Sequence, residues 1–234
     1  MMNGILYGVG IGPGDPELIT LKAKKIIENC EILVAPIKKI GEKSTAFEII
    51  KPVVNIEGKK ILEVVFTMSG DDPEYMACGK VAGDIIAEEL KHGKNVAMIT
   101  LGDVSIYSTF MYLQRYIRSI GFKTEIIPGI PSFCSGAALA GLPLTLGNEG
   151  LAIVPANKNE PLVDEALDKF DNMVFMKVGN NVKNISDKMA ERGIDQNCAT
   201  IISNVGMKNQ YIGPIDLSRE YGYFTTMIVK KHLK

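Results

Sequence analysis

Two segments in which an apolar run gives way to glycine and an acid carry most of the chemistry this sequence offers. The first, Gly8-Val9-Gly10-Ile11-Gly12-Pro13-Gly14-Asp15, follows a short apolar run and precedes a helical pattern, so its backbone N–H groups could cradle an anion or a cofactor. It is not the dinucleotide fingerprint. Counted from Gly8, the third glycine of GxGxxG is Pro13; counted from Gly10, it is Asp15; and GxxxxGK[ST] is absent. The second segment, Thr100-Leu101-Gly102-Asp103-Val104-Ser105-Ile106-Tyr107-Ser108, again closes an apolar run. Gly102 allows close backbone approach, Asp103 could accept hydrogen bonds from an ammonium or a hydroxyl, and Tyr107 could orient a substrate. Each has a plainer reading beside it: a tight strand-to-helix turn for the glycines, a helix cap for Asp103, and a ring buried in the core for Tyr107.

Other chemistries find little here. His92 and His232 are the only histidines, so no Ser/His/Asp arrangement can be assembled, and Cys30, Cys78, Cys134 and Cys198 lie too far apart for a metal knuckle or a redox dithiol. We expect no metal. What remains is chemistry that asks little of ionisable side chains.

The elements that must position these segments follow from alternation. Short β-branched runs at 4–9, 31–35, 60–66, 95–101 and 123–127 alternate with helical patterns, which predicts a parallel sheet with ligands at its carboxyl edge. The first helix is expected to start at Asp15-Pro16-Glu17 and to bury Ile19, Ala23, Ile26, Ile27 and Cys30. A second, from Asp72-Pro73-Glu74 to Gly93, is expected to bury Cys78, Val81, Ala82 and Ile85. A third, 108–120, carries the stripe Phe110, Leu113, Ile117, Ile120. A small-residue helix at 132–140 and further runs at 151–155, 173–178, 199–204 and 223–229 continue the α/β pattern. We place a domain boundary near Ser119 to Lys123, giving domains 1–120 and 121–234.

The 234 residues are 46% hydrophobic, enough for a sizeable core, and 26 Lys+Arg against 27 Asp+Glu leave a net charge of -1. No global basic field exists to condense on nucleic acid or an anionic membrane, so an anionic partner must meet a local patch. The opening lacks a basic region ahead of an apolar one, and no apolar run is long enough to cross a bilayer. We expect a cytoplasmic protein.

Three stretches, GVGIGPGDPELITLKA, TLGDVSIYSTFMYL and PGIPSFCSGAALAGLPL, in order along nearly the whole chain, resemble the tetrapyrrole methylases, which use S-adenosylmethionine. Ser108-Thr109-Phe110, Ser132-Phe133 and Leu151 to Ala156 resemble the branch that methylates carbon 20 of precorrin-2 or cobalt-factor II in cobalamin biosynthesis. The resemblance implies an α/β, two-domain methylase architecture, with a parallel N-terminal domain, a mixed-sheet C-terminal domain, the donor in the cleft between them, and a homodimer. It also implies donor contacts at Pro13, Gly102, Asp103, Val104, Ile106, Ser132, Phe133, Met176, Val205 and Thr226. Two departures stand out: Val104 where many relatives have proline, and Phe224-Thr225-Thr226 in place of Ser-Pro-Ala.

Under that resemblance the acceptor is a polyacidic ring whose bridging carbon is itself the nucleophile, so placement and exclusion of water are the main demands on the protein. Asp103 and Tyr107 are the candidates for catalytic roles, and no proton acceptor can be named. The ring's carboxylates call for basic residues, for which Lys38, Lys39 and Lys43 in the loop after Pro36 are the best placed; their plainer reading is a solvated loop. Methylation of another ring carbon, or of a protein or RNA, and a non-catalytic nucleoside-binding module remain the alternatives.

Overall fold

The computed structural model describes residues 3–66, 72–157 and 160–232. They form two compact units, 1–131 and 132–234. The first holds five strands, β1 (Ile5–Gly10), β2 (Ile32–Ile37), β3 (Lys60–Val65), β4 (Val96–Thr100) and β5 (Lys123–Ile127), all parallel in the order β3-β2-β4-β1-β5. The central strands read as nearly unbroken apolar runs because both faces are covered. Ala23 and Ile27 of α1 (Leu21–Asn29) and Ala46 and Ile50 of α2 (Thr45–Ile50) close one face. Ala82 and Ile86 of α3 (Asp72–Lys91) and Phe110, Leu113 and Ile117 of α4 (Phe110–Ser119) close the other.

The second unit holds α5 (Ser132–Leu139), β6 (Leu151–Pro155), α6 (Glu160–Lys169), β7 (Asn172–Met176), α7 (Val182–Glu191), β8 (Ala199–Ser203), β9 (Tyr211–Gly213) and β10 (Thr225–Lys230). Its sheet runs β6-β7-β10-β8-β9, parallel between β6 and β7 and antiparallel elsewhere. Met173, Phe175, Ile201, Met227 and Val229 join Val163 of α6 and Ile185 of α7 in one core. The alternate residues of these strands face the other way, where Gly136 of α5 meets Ile202 so closely that a Cβ would lie 2.6 Å from Ile202 Cδ1. A buried lysine, Lys230, 5% exposed, ties the loop between α5 and β6 to the sheet. Its Nζ donates to Asn172 Oδ1 (2.5 Å) and Leu144 O (3.2 Å), 3.6 Å from Glu149 Oε2.

Four features differ from the sequence reading. The units divide after Pro131, not near residue 120, because β5 pairs with β1 and belongs to the first sheet. The first helix is split: Asp15 does cap, accepting from Glu17 N at 2.9 Å, but only a 3-10 turn (Pro16–Leu18) follows, and α1 starts afresh with Thr20 accepting from Ala23 N at 3.1 Å. In α3, Val81 and Ile85 are 64% and 47% exposed, and Gly79 and Gly83 are buried in their stead. The glycines face α4, where a Cβ at Gly83 would lie 2.3 Å from the Tyr116 ring, so close helix approach outweighs the apolar count. Ile120 falls beyond the last turn of α4 and is exposed.

Candidate functional site

In the first sheet, β1 is followed by α1 on one face and β4 by α4 on the other, while β1 and β4 are neighbours. The chain leaves these two strands in opposite directions, which opens a crevice outside their carboxyl ends, the usual ligand position in open α/β sheets. Both glycine segments sit there. Gly12 and Gly102, each with positive φ (85° and 72°), form a backbone bridge: Gly102 N donates to Gly12 O at 2.7 Å and Gly12 N to Gly102 O at 3.3 Å. A third glycine closes the group, since a Cβ at Gly129 would lie 2.2 Å from Gly102 O and one at Gly10 only 2.6 Å from Gly129 N. The crevice floor is therefore three loops packed main chain on main chain.

Asp103, 9% exposed, locks this arrangement. Its Oδ1 accepts from Ser105 N at 2.8 Å and from the Ser105 hydroxyl, and its Oδ2 accepts from Gly129 N at 2.8 Å. Burial pushes its pKa up, but the hydrogen bonds from Ser105 and Gly129 outweigh it and hold the carboxyl below the usual aspartate value. Asp103 is thus both a local cap and a clamp between loops, and Oδ2 keeps a second lone pair for a ligand donor. Pro13 and Gly102 are buried. Val104 is fully buried and its side chain belongs to the apolar core, so only its main chain can face the crevice. Ile106 is half-buried. Tyr107, 44% exposed, holds a left-handed backbone (φ 49°), an uncommon state for a bulky residue.

Lys38, Lys39 and Lys43 follow β2, the other neighbour of β4, and are exposed at this same sheet edge. The sequence therefore placed its basic loop beside the Gly102 loop through strand order, although the two are far apart in the chain.

In the second unit the nominated residues also come together. Met176 and Thr226 are paired in register, Thr226 is paired with Ile202 on its other side, and Ile202 carries α5, whose first two residues are Ser132 and Phe133. Val205 lies just past the end of β8, where Asn204 N donates to Phe224 O at 2.9 Å. Phe133, Val205 and Thr226 are buried. The lining this creates is uncharged.

A model of the Tetrapyrrole (Corrin/Porphyrin) Methylases matches residues 5–219. The chain belongs to the tetrapyrrole methylases. This methylase is 32% identical over 234 residues, covering 98% of both chains, to a cobalt-precorrin-2 C(20)-methyltransferase of Salmonella typhimurium. It is 37% identical over 185 residues, 79% of this chain and 75% of the relative, to a probable cobalt-precorrin-2 C(20)-methyltransferase of Methanocaldococcus jannaschii. A uroporphyrin-III C-methyltransferase of Thermus thermophilus, solved in complex with S-adenosylhomocysteine, shares the fold at TM-score 0.72 and 17% identity, over 97% of each chain.

Three residues of this tetrapyrrole methylase's sheet edges were not singled out in its sequence. Gly129 lies in a quoted motif, yet its role as Asp103's partner across 26 positions leaves no local trace. Ser105 had a signal, the Asp-x-Ser spacing of a side-chain turn. Lys177, directly after Met176, has a left-handed backbone (φ 60°), lies 5.6 Å from the Tyr223 ring centre, and has its pKa pushed down by burial.

Proposed function

We propose that this methylase transfers the methyl group of S-adenosylmethionine to carbon 20 of precorrin-2 or cobalt-factor II in cobalamin biosynthesis, acting as a cytoplasmic homodimer. The observation that carries this reading is the full-length match to a cobalt-precorrin-2 C(20)-methyltransferase, which spans both units with little left over on either chain. Among the described residues, no helix is long and apolar enough to cross a membrane, and no cluster of His, Cys, Asp and Glu could hold a metal ion.

When bound, the donor supplies an electrophilic methyl group on a sulfonium sulfur. Gly102, Asp103 and Val104, with Pro13 and Ile106, offer main-chain groups and one carboxylate to it; Asp103 favours its positive charge and keeps the Gly102 loop in place through Gly129. Ser132, Phe133, Met176, Val205 and Thr226 offer uncharged surface that excludes water. Tyr107, on its fixed left-handed backbone, orients the ring, and Lys38, Lys39 and Lys43 meet its carboxylates. With acceptor carbon and methyl held in line, placement alone can supply about 7–11 kcal/mol.

The test is mass spectrometry of purified protein incubated with the donor and precursor rings, with and without cobalt. The reading expects a single added methyl group at carbon 20 of one of them. A methyl group at another carbon, or none, would overturn it.

A further inference from the structure

We propose that Ile40 determines ring affinity as an apolar tip that lies against the flat face of the acceptor while Lys39 and Lys43 meet its carboxylates; the inference rests on the tetrapyrrole reading above. At 89%, Ile40 is the most exposed of the large apolar side chains among the described residues. A single exposed apolar residue is ordinary on a protein surface; three further observations make this one different.

The first is position. The loop leaves β2, which is hydrogen-bonded to β4 and runs parallel to it, so Ile40 and the Gly102–Ser108 segment rise from adjacent strands, about 4.8 Å apart, at one edge. The second is that the tip is held outward. Glu42 N donates to Lys39 O at 3.1 Å, Gly41 takes a positive φ of 86°, and Ser44 anchors the far side by accepting from Phe47 N at 3.4 Å as the cap of α2. A tight turn fastened to a strand on one side and a helix on the other does not fold its tip back onto the core. The third is composition. Lys39 and Lys43 flank the isoleucine and take part in no ion pair among the described residues. Cations beside an exposed branched aliphatic group match a ligand that combines a flat unsaturated face with carboxylate arms around its rim. Neither a purely anionic polymer nor a purely apolar ligand would use both.

The experiment compares wild type, Ile40→Ser, Ile40→Leu and the double variant Lys39→Gln/Lys43→Gln. The readouts are acceptor KM and kcat, affinity for the polycarboxylic ring uroporphyrin by absorbance titration, affinity for S-adenosylhomocysteine by calorimetry, and Tm. Ile40→Ser should raise acceptor KM and uroporphyrin Kd about tenfold, with S-adenosylhomocysteine affinity and Tm unmoved, and Ile40→Leu should recover most of the loss. The double lysine variant should weaken uroporphyrin binding and flatten its dependence on salt. Wild-type ring constants in Ile40→Ser, an equal loss of S-adenosylhomocysteine affinity, or a change confined to oligomeric state would each overturn the proposal. If wild type neither binds uroporphyrin nor methylates any ring, the parent reading fails with it. If wild type does both and Ile40→Ser matches it, only the role of Ile40 fails.

Discussion

Replacing Asp103 with asparagine tests whether that carboxylate holds the crevice floor together. The native group accepts three hydrogen bonds, two from Ser105 and one from Gly129 N at 2.8 Å. Asparagine has one acceptor oxygen, so with that oxygen toward Ser105 its amide N–H₂ faces the Gly129 N–H, donor against donor. One charge-assisted bond to a nearly buried main-chain group is lost outright and the others lose their charge, a cost of about 2–3 kcal/mol. For a chain of 234 residues this lowers Tm by roughly 5–10 °C at pH 7. The pH dependence has a definite sign. Because the folded-state pKa lies below the ordinary value, the group adds stability above about pH 3.9 and loses it as pH falls through the depressed native value. The gap between wild type and Asp103→Asn should therefore be full at neutral pH and should close only in strong acid. Thermal unfolding followed by circular dichroism from pH 7 to pH 2.5 measures both quantities. A variant within about 1 °C of wild type at pH 7, or a gap that stays constant through the acid range, would refute the clamp.

Gly129→Ala places a Cβ 2.2 Å from Gly102 O, main chain against main chain, and should cost about 1–3 kcal/mol and weaken S-adenosylhomocysteine binding measured by calorimetry. Unchanged affinity would mean that the donor does not rest on this floor. Lys230→Met leaves Asn172 Oδ1 and Leu144 O without the donor that ties the 142–150 loop to the sheet; we expect about 1–3 kcal/mol of destabilisation and faster proteolytic cutting in that loop, read by urea unfolding and mass spectrometry of the fragments. Cys30 is buried and its thiol is pushed up to about 12, chiefly by burial and then by the Glu31 charge, so iodoacetamide at pH 8 should leave it unlabelled in the native protein and label it after denaturation.

The α/β class was legible because strand and helix differ in apolar period, and the β5 run was read to the residue. What escaped was set by partners distant in the chain. Nothing local in Lys123–Ile127 says that it closes the first sheet beside β1, which is why the unit boundary lies later than composition suggested. On α3, counting apolar residues favoured Val81 and Ile85, but the face that packs is the one where Gly79 and Gly83 leave room for α4. Strand β9 (Tyr211–Gly213) is too short to show a period of two. At the candidate site, the two glycine segments could be read from the sequence, since their residue types are unusual in themselves. Their meeting at Gly12 and Gly102, and the reach of Asp103 to Gly129, depend on strand order, which no single segment contains.

The three-glycine floor has a consequence for how such a scaffold diversifies. Its shape is written in peptide groups, so most side-chain replacements elsewhere leave it untouched, while a Cβ at Gly12 or Gly129 would lie less than 3 Å from main-chain atoms and Gly102 needs a positive φ that other residues rarely adopt. Inheritance can then rewrite the surrounding loops freely, altering which acceptor is admitted, and still pass on one unaltered seat.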